Sequence, residues 1–116
     1  MKTLTLHLKK KWFDMIKAGI KKEEYREMTQ YWHNRLYKKG DFTFNEYDII
    51  VFKLGYPKKG DKERTLEFIN PIIRIGYGKE EWGAEKYRQY FIITWNNEIK
   101  QEYYDLSQAF IKELTK

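Results

Sequence analysis

Eight consecutive residues, Gly19-Ile20-Lys21-Lys22-Glu23-Glu24-Tyr25-Arg26, place an ammonium, a carboxylate and a guanidinium at short fixed intervals. Each could do chemistry. An ammonium at Lys21 can reach a phosphate or polarise a carbonyl; buried beside Arg26 it would lose proton affinity and could serve as a base or nucleophile. A carboxylate at Glu24 can accept from the amino group of cytosine or adenine, while Arg26 can fork onto a phosphate or a base carbonyl. Two residues apart on a strand, Glu24 and Arg26 share a face, and Tyr25 points the other way, toward a core. Gly19 permits a tight turn that brings the following backbone close to a ligand, and Lys22 adds a second cation beside Lys21. The competing readings are a solvated Lys21 and a purely structural Glu24–Arg26 pair.

Elsewhere the signals are weaker. Trp82, between Gly78 and Gly83 and beside Glu80 and Glu81, is a candidate for an exposed ring. Trp12 lies four residues from Ile16 and reads as core. His7 and His33 read as hydrogen-bonded structural residues. No Ser–His–Asp order and no phosphate-cradling glycine loop of recognised spacing occurs, and Gly76-Tyr77-Gly78 is too short to count. With no cysteine and two histidines, no thiolate site, disulfide or histidine-rich metal cluster is expected. We expect neither a metal nor a cofactor.

Charge is distributed unevenly. The net charge is +6, yet residues 1–40 carry +7 and residues 41–116 carry −1. A basic third of this kind attracts phosphate-bearing partners, more weakly as salt rises. Solvated lysines at element ends, as at Lys9-Lys10-Lys11 and Lys21-Lys22, are what a charge run alone favours. Aromatic residues make up 18% of the chain, despite a strongly polar mean hydropathy of −0.85. Large rings therefore either build the core or stand displayed, and a displayed ring beside a cation is what single-stranded nucleic acid stacks upon.

The elements that must position these groups follow from periodicity. Leu4, Leu6 and Leu8 alternate with polar residues as a half-buried strand does. A short helix follows from Lys10 to Ala18, ended by Gly19. Ile20 to Glu27 reads as a loop entering a short strand. Thr29 caps a second helix with a Met28, Trp32, Leu36 stripe, closed by Gly40. Ile49 to Leu54 and Tyr90 to Trp95 are apolar strands. Leu66 to Ile75 is another, interrupted at Asn70-Pro71, where a bulge, an edge or two shorter strands are expected. Tyr56 to Arg64 is a loop. Asn96-Asn97 reads as a turn leading to a hairpin partner over Glu98–Tyr104, and Asp105 with Gln108 caps a final helix over about 105–115. Strands in runs with few helices predict an α+β domain over residues 1–116, a small mixed or antiparallel barrel with short helices after strands 1 and 2 and a C-terminal helix. From the charged, alternating N-terminus no signal peptide is expected, and from apolar stretches this short no membrane span is expected. A cytoplasmic location and no membrane partner are expected.

The segment from Gly19 to Arg26 resembles the G-x-K-x-x-E-x-R signature of the ASCH family, in the place where that family carries it, after the first strand and short helix. The stretch from Ile73 to Ala84, followed by the strand at Tyr90, resembles a branch of small ASCH proteins from bacteria and their phages. The likeness covers residues 1–104 and leaves the closing helix outside. It implies a PUA-like β-barrel with a cleft beside the motif that takes RNA or a nucleotide base; the candidate binding residues are Gly19, Lys21, Lys22, Glu24, Arg26 and Trp82. One branch of the family is an amidohydrolase acting on N-acetylated cytidine, with a lysine, a threonine and a glutamate as its catalytic set. The lysine matches Lys21, the threonine's place is held by Glu24, and Glu67 is the nearest equivalent of the glutamate by strand order. The expected function is RNA or nucleotide binding by a monomer. Nucleoside amidohydrolysis is the alternative, followed by a protein-interaction domain.

Overall fold

The amphipathic segments condense around a main apolar cluster in the computed structural model, which describes residues 1–96. Among the described residues, six strands and two α-helices follow in chain order: β1 (Thr3–Leu8), α1 (Lys10–Lys17), β2 (Glu24–Arg26), α2 (Gln30–Leu36), β3 (Ile49–Leu54), β4 (Thr65–Ile69), β5 (Ile72–Tyr77) and β6 (Gln89–Thr94). Single 3₁₀ turns at Lys62–Arg64 and Glu80–Trp82 precede β4 and follow β5. The turn, hairpin partner and final helix expected from Asn97 onward lie outside the described residues.

The strands form two three-stranded sheets, ordered β1-β3-β4 and β2-β6-β5. The α+β class is as expected, and among the described residues the two sheets do not close into a barrel. In the first sheet β1 runs parallel to β3, from Thr3 opposite Ile49 to Leu8 opposite Leu54, and β4 is antiparallel to β3. A parallel pair needs a long crossover, and here the crossover contains α1, β2 and α2. The second sheet is wholly antiparallel, with β6 at its centre.

Side-chain alternation explains how the sheets meet. Leu4, Leu6 and Leu8 point to the same side as Ile50 and Phe52, and they form one cluster with Phe13, Ile16, Leu36, Phe68, Ile73, Phe91 and Ile93. Both central strands are apolar on both parities because each is covered on two faces; Ile49, Val51, Tyr90 and Ile92 are buried as well. The opposite face of the second sheet carries a smaller cluster of Ala84, Tyr90 and Ile92, with Tyr25 packed on it.

Asn70-Pro71 separates two strands of different sheets. Asn70 takes a positive φ of 53° and donates its amide to Asp48 O, and proline's missing N–H then ends the first ladder. The single candidate over Leu66–Ile75 is thus β4 plus β5. The second helix stops at Leu36 rather than running to Gly40. Tyr37 is already extended, bridged to Phe44 and stacked on its ring at 4.4 Å, so aromatic packing outweighs helix continuation. Met28 lies before the helix and is exposed. Thr29 caps it as expected, its hydroxyl accepting from Trp32 N at 3.4 Å.

Candidate functional site

The turn after α1 creates the site. Ile20 N donates to Met15 O at 2.9 Å and Gly19 N to Ile16 O at 3.0 Å, the paired bonds of a Schellman cap. Gly19 holds φ +76° with open space around its α-carbon, so left-handed geometry, not crowding, requires glycine there. Lys21 N then bonds back to Met15 O at 3.1 Å. This second tie turns the lysine side chain inward.

There it is enclosed. The Lys21 side chain is 1% exposed and that of Glu24 6%. The ammonium donates to Glu24 Oε1 at 3.0 Å and to Trp82 O at 2.8 Å. It lies 4.5 Å from the Trp12 ring centroid and 5.4 Å from that of Tyr25, within cation–π range of both. Gly83 and Gly78 allow the second wall to close. A Cβ at Gly83 would come 2.9 Å from the Trp12 ring, and one at Gly78 would come 2.5 Å from the Tyr25 ring. The 78–84 segment can press against both rings only because these positions lack side chains.

Glu24 is the hub of the cluster. Its Oε1 also accepts the Tyr25 amide at 3.0 Å, and its Oε2 faces Arg26 Nη2 at 3.5 Å. Arg26 Nη2 donates to His7 O at 3.2 Å, and the guanidinium lies 4.9 Å over the Trp32 ring. Arg26 Nε is buried without a hydrogen-bond partner. An unmade bond of this kind costs about 1–3 kcal/mol. The three charges sum to +1, on side chains that are 1%, 6% and 19% exposed. Burial lowers the Lys21 pKa from its usual value; the Glu24 carboxylate opposes that shift, and Arg26 adds to it.

The outer face is held by a second network. Tyr25 donates its hydroxyl to Glu23 Oε1 at 2.7 Å and accepts Lys79 N at 2.9 Å, while Arg74 Nη2 donates to Glu23 Oε2 at 2.8 Å. Burial holds the tyrosine pKa well above its ordinary value, so it stays a neutral donor.

The structure therefore gathers Gly19, Lys21, Glu24 and Arg26 at one place. Lys22 is exposed beside them. Trp82 is half-buried, and its carbonyl rather than its ring meets Lys21; the ring packs under Lys79 at 4.4 Å. Trp12, expected in the core, is instead the ring under the Lys21 ammonium. Spacing alone showed its helical stripe but not the wall that 78–84 builds against it. Glu67 is not brought to the cluster. It sits between core-facing Leu66 and Phe68, so alternation turns it to the far side of the first sheet. His7 is hydrogen-bonded, its Nδ1 donating to Gly55 O at 2.7 Å.

Among the described residues no group of three His, Asp or Glu side chains is disposed to hold a metal ion, and no helix is long and apolar enough to cross a membrane. No family model, curated protein or solved structure matches this chain.

Proposed function

We propose that the chain binds RNA or a nucleotide through the Lys21–Glu24–Arg26 cluster. The observation that carries this reading is a buried, net-positive cluster walled by Trp12, Tyr25 and Trp32 that keeps one guanidinium N–H unpaired. A buried orphan donor is held against its own cost, and perturbed ionisable clusters of this type concentrate at functional sites. Arg26 Nε suits a base carbonyl or a phosphate oxygen, and the neighbouring rings suit a base face. The likeness of Gly19–Arg26 to the ASCH signature and the basic first third of the chain support the same reading, and with it a PUA-like barrel arrangement and a cytoplasmic monomer.

The experiment is fluorescence anisotropy with a labelled single-stranded RNA and, separately, titration with free nucleotides, both at low salt. Binding that weakens as salt rises and is lost in Lys21→Met is the expected result. Failure of RNA, single-stranded DNA and nucleotides to bind at low salt would remove the proposal.

Nucleoside amidohydrolysis is the second reading, favoured by one observation: burial lowers the proton affinity of Lys21, as a base requires. Glu24 is the carboxylate within reach of it at 3.0 Å, whereas Glu67 is on another face. Incubation with N-acetylcytidine, followed by its ultraviolet spectrum, separates the two readings. No turnover at high enzyme concentration eliminates the hydrolase.

A further inference from the structure

A column of rings leads from the core to solvent at the C-terminal end of α2. Phe44 meets Phe91 edge-on at 6.2 Å and stacks on Tyr37 at 4.4 Å; Tyr37 in turn meets His33 at 4.4 Å. His33 is exposed and has no second ring contact among the described residues. The column therefore ends on an aromatic face open to water. An open groove of about 650 Å³ begins there, lined by His33, Tyr37, Lys38, Lys39, Asp41 and Phe42 among others. That volume falls within the range of small-ligand sites.

Three features give the groove a chemical preference. Phe42 is 91% exposed, so its ring contributes little to the fold. Lys38 and Lys39 are exposed and make no ion pair with a described residue. They are presented by a tight turn in which Asp41 N donates to Lys38 O at 3.2 Å and Gly40 holds φ +73°. Asp41 is the one acid lining the groove among the described residues, and its Oδ1 is engaged by Phe42 N at 2.6 Å. Open aromatic faces beside two unpaired cations match a strand of bases joined by phosphates. Helix α2 also links the groove to the cluster, since Trp32 carries the Arg26 guanidinium and His33 starts the groove.

We propose that this groove is a second contact site for single-stranded nucleic acid, stacking a base on His33 or Phe42 and holding flanking phosphates with Lys38 and Lys39. It rests on the reading that the chain binds RNA. It differs in predicting that a single strand engages both α2 sites, whereas a mononucleotide engages the cluster alone.

The test uses the full chain and a labelled 12-nucleotide oligouridine, with uridine monophosphate as comparison. Phe42→Ala weakens oligomer binding roughly tenfold, from the loss of one stacked base, and leaves the monophosphate unaffected. Lys38→Ala with Lys39→Ala lowers the slope of log affinity against log salt by about 1.4, at about 0.7 per single-strand phosphate contact. All three side chains are exposed, and unchanged thermal melting verifies that the variants fold. Ultraviolet crosslinking of the wild type to 4-thiouridine RNA then yields adducts on the His33–Phe42 peptide. If wild-type chain binds the oligomer but these variants match it, and crosslinks fall elsewhere, the groove proposal is overturned while the cluster reading stands. A protein partner bound at an unchanged, RNA-free groove would likewise overturn it. If wild type binds no nucleic acid at low salt, both fall together.

Discussion

Replacing Glu24 by Gln probes the cluster most directly, because the shape is kept and only the charge is removed. The carboxylate meets Lys21 at 3.0 Å, the Tyr25 amide at 3.0 Å and Arg26 at 3.5 Å. In the variant, two cations are left without an anion, one of them with a side chain only 1% exposed. Removing one partner of a buried pair costs about 3–5 kcal/mol. Two features of this site moderate that figure: Gln keeps a carbonyl acceptor, and the Arg26 side chain is 19% exposed. The expected loss is about 3 kcal/mol at pH 7, against a total stability of about 5–15 kcal/mol for a domain.

The pH dependence gives a sharper test than the magnitude. The folded Lys21 pKa is below its ordinary value of 10.5, so between the two values the unfolded chain holds more protons than the folded one. Stability from this group therefore rises with pH through that window and is level above 10.5. Losing Glu24 removes the contribution that raises the Lys21 pKa, so the window in Glu24→Gln extends to lower pH. The variant's deficit is then largest near neutrality and shrinks as pH climbs toward 10. Urea titrations of wild type and variant at several pH values measure this directly. The same series in a Lys21→Met background shows no such convergence. A deficit below about 1 kcal/mol that stays flat with pH, as expected of a surface pair, would refute a desolvated cluster.

Further outcomes follow from the same geometry. Gly78→Ala places a methyl 2.5 Å from the Tyr25 ring and 2.8 Å from Ala84; overpacking of this sort costs about 1–3 kcal/mol, read as a lowered urea midpoint together with loss of ligand binding. Gly19→Ala, with open space but φ +76°, costs only the left-handed strain of about 1 kcal/mol, or roughly 4–8 °C in Tm for a domain of about this size. Leu6→Ala, in the core and 1% exposed, lowers stability by about 2–5 kcal/mol while nucleotide affinity of the folded fraction is unchanged. Trp12→Leu keeps much of the apolar volume but removes the ring 4.5 Å from Lys21; ligand affinity falls with a stability loss of about 1 kcal/mol from the cation–π contact.

What the sequence revealed was decided by locality. β1, α1 with its glycine stop, the Thr29 cap, β3 and β6 are all written in patterns a few residues long, and the Gly19–Arg26 geometry follows from one cap and one strand. The proximity of Lys21, Glu24 and Arg26 is accordingly legible in the sequence. Long-range closure was not. The assignment of β4 and β5 to different sheets depends on Asn70 reaching Asp48, and the burial of Lys21 depends on 78–84 meeting Trp12 some seventy positions away in the chain. The same cause hides the surroundings of Trp12, since a helical stripe shows which residues share a face but not what covers it.

Glu67 marks the limit of reasoning by order. Counting strands puts a carboxylate in the succession that the ASCH likeness leads one to expect, yet the pleat decides its face, and a change of one position in β4 exchanges core for exterior. Phe68 is held opposite Ile50, at the centre of the apolar cluster; the burial of that ring fixes the register and turns Glu67 away. The chemistry available at Lys21 is therefore set by Glu24 and Arg26. A lysine enclosed by one carboxylate, one carbonyl and two rings is better built to hold a fixed charge than to exchange protons with water. This favours binding over hydrolysis at the cluster, on physical grounds independent of any likeness in sequence.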